Sequence, residues 1–151
     1  MDAAEKLLAI EEIHQLKARY FRCVDTKDWK GYRAVFADEV EFDITEDMPE
    51  AGIVTSGDKA AKIAQEGMGG AQSVHHGHCP EIEITSPTTA RGIWAMEDML
   101  FWDEGSVAPG QRLHGMGHYH ETYEKIGGEW KIKTMKLTRL YRVFTPAKQD
   151  A

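Results

Sequence analysis

Residues 112–144, RLHGMGHYHETYEKIGGEWKIKTMKLTRLYRVF, decide the fold. They read as two long strands, Arg112 to Lys125 and Trp130 to Phe144, folded back on each other around Ile126-Gly127-Gly128-Glu129. The glycine pair suits a tight hairpin, whose central residues take positive φ without a side-chain penalty. Upstream, Ala90 to Trp102 is another long strand, joined to this hairpin by the loop Asp103 to Gly110. Ser86-Pro87-Thr88 is a turn, and the alternating Glu81 to Thr85 is the strand before it.

The N-terminal part has a different period. Leu7, Leu8, Ile10, Ile13, Leu16, Tyr20 and Val24 recur at three- and four-residue steps, which predicts a helix capped by Asp2 and ending near Asp25. A shorter helix follows, with Trp29, Tyr32, Val35 and Phe36 as its buried side, and then a short strand, Val40 to Ile44. Glu46 to Gly57 reads as an acidic loop. A small helix from Gly57-Asp58 carries Ala60, Ala61, Ile63 and Ala64 and stops in the cluster Gly67, Gly69, Gly70. The tail Thr145 to Ala151 reads as a frayed end. Helices followed by a run of long strands predict an α+β fold in one domain over residues 1–151, ordered from about residue 4 to about residue 145. A strongly curved antiparallel sheet, closed on its open side by the N-terminal helices, makes a cone with one deep pocket.

Composition narrows the function. The 151 residues carry 25 acidic and 18 basic side chains, a formal charge of −7. That excludes the basic footprint of a nucleic-acid binder and disfavours an anionic membrane surface. No apolar run is long enough to span a bilayer, and the N-terminus carries acids where a signal peptide needs bases, so a cytoplasmic location is expected. Two cysteines, Cys23 and Cys79, form no disulfide framework and read as buried apolar positions. Nucleophile-elbow and phosphate-loop motifs are absent.

Three features are out of place for a purely structural chain. Asp98 lies in the middle of the apolar strand face Gly92, Trp94, Met96, Leu100, Trp102. Either it is buried, which would raise its pKa and fit it for proton transfer, or that face is half open and Asp98 meets an arginine. Asp25 ends a helix, where the dipole disfavours negative charge; it either opens a turn or has a partner. Six of the seven histidines fall in two groups, His75, His76, His78 and His114, His118, His120. One reading is a metal site: His118-x-His120 followed by Glu124 is similar to half of a cupin metal motif whose other half is missing. The other is a single catalytic histidine with the rest peripheral.

The stretches IEEIHQLKARYFRCVDTKDW, GHCPEIEITSPTTARGIWAMED and YEKIGGEWKI resemble those of the nuclear transport factor 2-like, or SnoaL-like, superfamily, and within it the bile acid 7-alpha-dehydratases. Scytalone dehydratase and hexachlorocyclohexane dehydrochlorinase are more distant resemblances. The likeness runs from about Ile10 to about Phe144 and is weakest in the acidic loop. It implies that Tyr20, Asp25 and His75 are catalytic, and that Asp98 and Arg139 lie in the substrate pocket. The pocket tyrosine that follows the first short strand in that family is replaced near Asp43-Ile44, the loop after Trp102 has no matching tyrosine, and His114, His118 and His120 have no counterpart.

The expected chemistry is a cofactor-independent elimination of water. His75 takes a C–H proton, Asp25 orients its imidazole, and Tyr20 donates to the departing hydroxyl or to the enolate oxygen. Asp98 and Arg139 place the substrate, a steroid or bile-acid-like polycycle, in a pocket that also includes Trp94, Trp102 and His78. No metal or nucleotide is required. Alternatives are a double-bond isomerase using the same base, a non-catalytic domain that binds a hydrophobic ligand, and a metal-dependent enzyme. The resemblance also implies a homo-oligomer, a trimer before a dimer.

Overall fold

The computed structural model describes residues 1–146. Three helices, α1 (Ala3–Asp25), α2 (Trp29–Ala34) and α3 (Gly57–Gly67), pack against a curved five-stranded sheet. The strands are β1 (Phe36–Asp43), β2 (Ala71–Ser86), β3 (Thr89–Trp102), β4 (Arg112–Ile126) and β5 (Glu129–Thr145), in the spatial order β1-β5-β4-β3-β2. The α+β architecture is the expected one. The β2-β3-β4-β5 meander is antiparallel, but β1 joins the edge parallel to β5, pairing Phe42 with Met135 and Asp43 with Lys136.

A capping box starts α1: Asp2 accepts from the Glu5 amide at 2.8 Å and Glu5 from the Asp2 amide at 2.7 Å. Its buried stripe is Ala9, Ile13, Leu16, Lys17, Tyr20, Cys23 and Val24. Leu7 and Leu8, expected on that stripe, are exposed; the buried stripe begins at Ala9. The short helix ends at Ala34, and the chain is already extended at Phe36, four residues before the expected strand. Phe36 and Val35 are still buried, as strand and junction residues. Pro49–Ala51 forms one 3-10 turn in the acidic loop.

The largest correction concerns β2, which starts at Ala71 and not at Glu81. Its register with β3 runs His75↔Asp98, His76↔Glu97 and His78↔Ala95, then resumes at Glu81↔Ile93. One extra residue is therefore accommodated at Cys79-Pro80, where Cys79 has φ +37°. A bulge there spares the ladder from Pro80, which has no N–H to donate, and bends the strand. The histidine run expected to precede a strand lies inside one.

Strand alternation makes one face of the meander the core. Ala90, Trp94, Met96 and Leu100 of β3, Tyr119 and Tyr123 of β4, and Trp130, Ile132, Met135 and Leu137 of β5 are buried. Cys23 is buried as expected, but Cys79 is exposed in the bulge. Among the described residues no helix is long and apolar enough to cross a membrane. Of the expected frayed tail, Thr145 closes β5, and residues 147–151 lie outside the described residues.

Candidate active site

Between α2, α3, the acidic loop and the inner sheet face lies a cavity of about 500 Å³. Its apolar wall comes from β1, α3 and the strand ends, with Phe42, Ile63, Leu113, Leu137 and Phe144. Its polar end holds Tyr20, Tyr32, Tyr119, His75, Asp98 and Arg139.

Asp25, the last residue of α1, is in contact with β2. Its carboxylate accepts from the His75 amide (2.9 Å), the Ser73 hydroxyl (2.9 Å) and the His75 ring through Nδ1 (2.6 Å). Partial burial alone would raise its pKa; the His75 ring and amide and Ser73 outweigh that and hold it below the ordinary aspartate value. The Lys27 ammonium, bonded to the Val24 carbonyl and to Ser73, lies beside the same helix end and offsets the unfavourable dipole. Asp25 is thus a paired group and not only a turn residue. With an ionised acceptor on Nδ1, the proton of a neutral His75 belongs there, which leaves Nε2 as the basic atom. His75 lines the cavity, and Nε2 is 4.0 Å from Asp98.

Asp98 is buried, and it also meets an arginine. Arg139 grips it with two parallel bonds, Nη1 to Oδ1 at 2.8 Å and Nη2 to Oδ2 at 2.9 Å. Asp98 is on β3 and Arg139 on β5, so their bond spans β4. It can do so because β4 offers Gly115 beneath it: a methyl group there would run into both the guanidinium and the Asp98 carboxylate. Arg139 also binds Asp47 through Nε (3.0 Å) and Nη2 (2.6 Å), and the Met96 sulfur through Nη1 (3.5 Å). Burial disfavours its charge, but the two carboxylates raise its pKa further above the ordinary arginine value. All five N–H donors are engaged, so Arg139 fixes Asp98 and the acidic loop instead of presenting a free donor. Arg142 reinforces the loop through Asp47 (2.9 Å) and the Glu46 carbonyl (3.0 Å).

Tyr20 is buried between Tyr32 and Tyr119, ring centroids 5.2 and 5.8 Å away. Burial first, then Tyr119, push its phenol well above the ordinary range, so it is a hydrogen-bond donor and not a phenolate. Behind these rings the Lys17 ammonium lies 3.9 Å from the Tyr20 centroid and 3.7 Å from that of Tyr119, and it donates to Glu121 at 2.5 Å. Burial lowers the pKa of Lys17, with Glu121 opposing.

Trp102 lines the cavity, and its indole N–H ties β3 to the Gly67 carbonyl at the end of α3 (3.2 Å). Trp94 and His78, expected in the pocket, are not among its lining. Trp94 is core, its indole donating to the Tyr123 hydroxyl at 2.8 Å. His78 is exposed on the outer sheet face, because it follows His75 by an odd number of residues. His114, His118 and His120 share that outer face. His114 Nε2 is 2.9 Å from Glu97, and His120 Nε2 is 3.0 Å from the Thr138 hydroxyl. Glu124 pairs with Lys133 instead of completing a histidine set. Tyr32, Tyr119 and Asp47 are pocket residues that sequence reasoning missed. The two tyrosines look like ordinary buried aromatics on their own elements, although alternation with Asp98's neighbours on β4 is a usable signal for Tyr119.

The family model described as a SnoaL-like domain matches residues 5–136. "Probable cyclase FGR4" of Gibberella zeae is 25% identical over 140 residues, covering 85% of this chain and 89% of that protein. A scytalone dehydratase-like structure from Novosphingobium aromaticivorans superposes with a TM-score of 0.82 at 18% identity, over 97% of this chain and 94% of its own. A hexachlorocyclohexane dehydrochlorinase, LinA Type2, gives 0.81 at 19% identity, over 99% and 97%. At these identities the structural likenesses show a shared fold.

Proposed function

This chain belongs to the SnoaL-like family, and from that membership we propose that it is a cofactor-independent hydro-lyase, removing water from a hydrophobic polycyclic hydroxy-carbonyl compound of the steroid or bile-acid type. The observation that carries the reading is the 2.6 Å contact between Asp25 and His75 Nδ1 at the polar end of a cavity whose remaining wall is apolar. A base, its orienting carboxylate and an apolar wall to hold the substrate are what an elimination next to a carbonyl requires.

In this mechanism His75 Nε2 removes a proton from a carbon activated by the substrate carbonyl. The C–H electron pair becomes the new double bond, and the C–O bond of the leaving hydroxyl breaks. Tyr20 donates a hydrogen bond to that oxygen, and the proton held on Nε2 is passed to it, so that water departs and His75 returns to its neutral state. Asp25 holds the ring and balances the imidazolium. Asp98 supplies a second negative charge near Nε2, and Arg139 positions Asp98. A homo-oligomeric state, trimer before dimer, belongs to the same proposal on the strength of the sequence resemblance.

The test is a product assay with a 7-hydroxy-3-oxo-4-ene steroid, as free acid and as coenzyme A thioester. The expected result is the red-shifted absorbance of the extended dienone together with loss of water by mass. A product of unchanged mass makes the protein an isomerase and overturns the elimination. No reaction with either form overturns the substrate class.

A further inference from the structure

The proposed reaction leaves one histidine-rich cluster unused, on the opposite side of the sheet from the cavity. The alternation that turns His75 and Asp98 inward turns His76, His78 and Glu97 outward. His76 and His78 are two residues apart on β2, so both project from the same face. Glu97 on β3 is the register partner of His76, and the partner of His78 is Ala95, whose methyl group leaves the space between them open. One ring nitrogen from each histidine and a carboxylate oxygen of Glu97 all lie within 4.8 Å of one another. The two rings sit 6.0 Å apart, inclined at 65°, so they converge without stacking.

From this juxtaposition we infer that His76, His78 and Glu97 form a binding site for a divalent transition-metal ion of the Zn²⁺ type on the outer face of β2 and β3. Two imidazoles and one carboxylate are a ligand set for zinc and its neighbours, whereas Mg²⁺ and Ca²⁺ demand oxygen. Bonds of about 2.0 Å in a tetrahedral site require ligand atoms about 3.3 Å apart. The present spacing closes to that by small rotations of the two exposed imidazoles toward the half-buried Glu97 carboxylate. Two ligands from one strand and a third directly across the ladder also fix the site in the backbone, with no loop to order. A second layer is in place: His114 Nε2 of β4 is 2.9 Å from the Glu97 carboxylate and holds it toward the histidines. Three protein ligands leave a fourth position for water.

The site's position gives it a structural role. His76↔Glu97 is the next rung of the ladder after His75↔Asp98. A bound ion staples β2 to β3 from behind, one rung from the His75↔Asp98 pair that lines the cavity. It contacts no cavity group, and the inference holds whatever reaction the cavity performs.

The experiment is isothermal titration calorimetry of the tag-free, chelator-stripped full chain with ZnCl₂ and, separately, MgCl₂, paired with thermal unfolding in the presence and absence of Zn²⁺. One equivalent of Zn²⁺ and no Mg²⁺ is expected, with a higher unfolding midpoint in Zn²⁺. Binding is expected to weaken by about tenfold or more in His76→Ala and in Glu97→Gln, and by about tenfold in His114→Ala. The double variant His118→Ala/His120→Ala keeps the wild-type affinity. Absence of Zn²⁺ binding, equal binding by His76→Ala, or loss confined to the His118/His120 variant overturns the site.

Discussion

His75 and His76 are the same side chain one residue apart, yet they inhabit different chemical worlds. His75 is 8% exposed, and its amide and Nδ1 are both bound to Asp25. Its neighbour across the ladder, Asp98, is gripped by an arginine that reaches over a whole strand. His76 stands in solvent opposite Glu97, beside a second exposed histidine. The inner rung is over-determined, with each group's orientation set by two or three others. The outer rung is looser: His76 and His78 stand exposed and can turn toward a ligand, while Glu97 is tied to His114. Residue type does not separate the two histidines; the strand period and the depth behind it do.

The contrast can be broken most directly at the histidines themselves. His75→Gln is expected to reduce turnover by at least about 10²–10⁴-fold, the usual worth of one acid-base group, with folding intact by circular dichroism. His76→Gln in the same assay is expected to stay near the wild-type rate. Equal losses in the two variants would sink the division of labour between the faces.

Charge pairs sharpen the comparison in stability terms. Lys17 and Glu121 are completely buried, so Lys17→Met strands a carboxylate in the core and is expected to cost about 3–5 kcal/mol in urea unfolding. Lys17→Met/Glu121→Gln should recover most of it, since the glutamine amide keeps an acceptor for the Tyr123 hydroxyl that now donates to Glu121. On the outside, Arg91 pairs with Glu83 in full view of solvent, and Arg91→Met is expected to cost less than about 1 kcal/mol.

The smallest effect is in acid. Asp25 has a depressed pKa in the folded chain, so the folded state takes up its proton later than the unfolded state does. Its contribution to stability is present above the unfolded aspartate value of about 3.9 and is lost as pH falls through the folded value. Unfolding midpoints of wild type and Asp25→Asn should therefore converge as pH drops from about 5 toward about 3. Parallel curves would show that Asp25 carries no such linkage.

Much of this was legible beforehand. The long strands announce themselves by alternation and the Gly127-Gly128 turn, in which both residues take positive φ. Asp98 stands out as a charge on an apolar strand face, and Asp25 as an acid at the wrong end of a helix. What was hidden depends on distant partners. Lys17 looks like the exposed Lys6 on the same helix until Glu121, on the fourth strand, is placed beneath it. Asp47 looks like a loop acid until Arg139 closes on it. The first half of β2 was masked by Pro80, which ends most strands but here sits in a bulge. A strand read from Glu81 assigns no face to His78; counted from Ala71, alternation puts it outside the pocket.

Gly115 has a bearing on how such a protein can change over time. With the Asp98–Arg139 tie lying across it, a side chain at that position would have to displace the tie, and one at Gly117, two residues on, would run into the Thr138 backbone carbonyl. The polar end of the cavity is locked against drift by the absence of side chains as much as by the presence of charges. The opposite wall carries no such constraint: Ile63, Leu113, Leu137 and Phe144 are aliphatic or aromatic groups that can be exchanged for others of different size. Descendants of this chain can therefore explore new molecular shapes at one pole while inheriting the other unaltered.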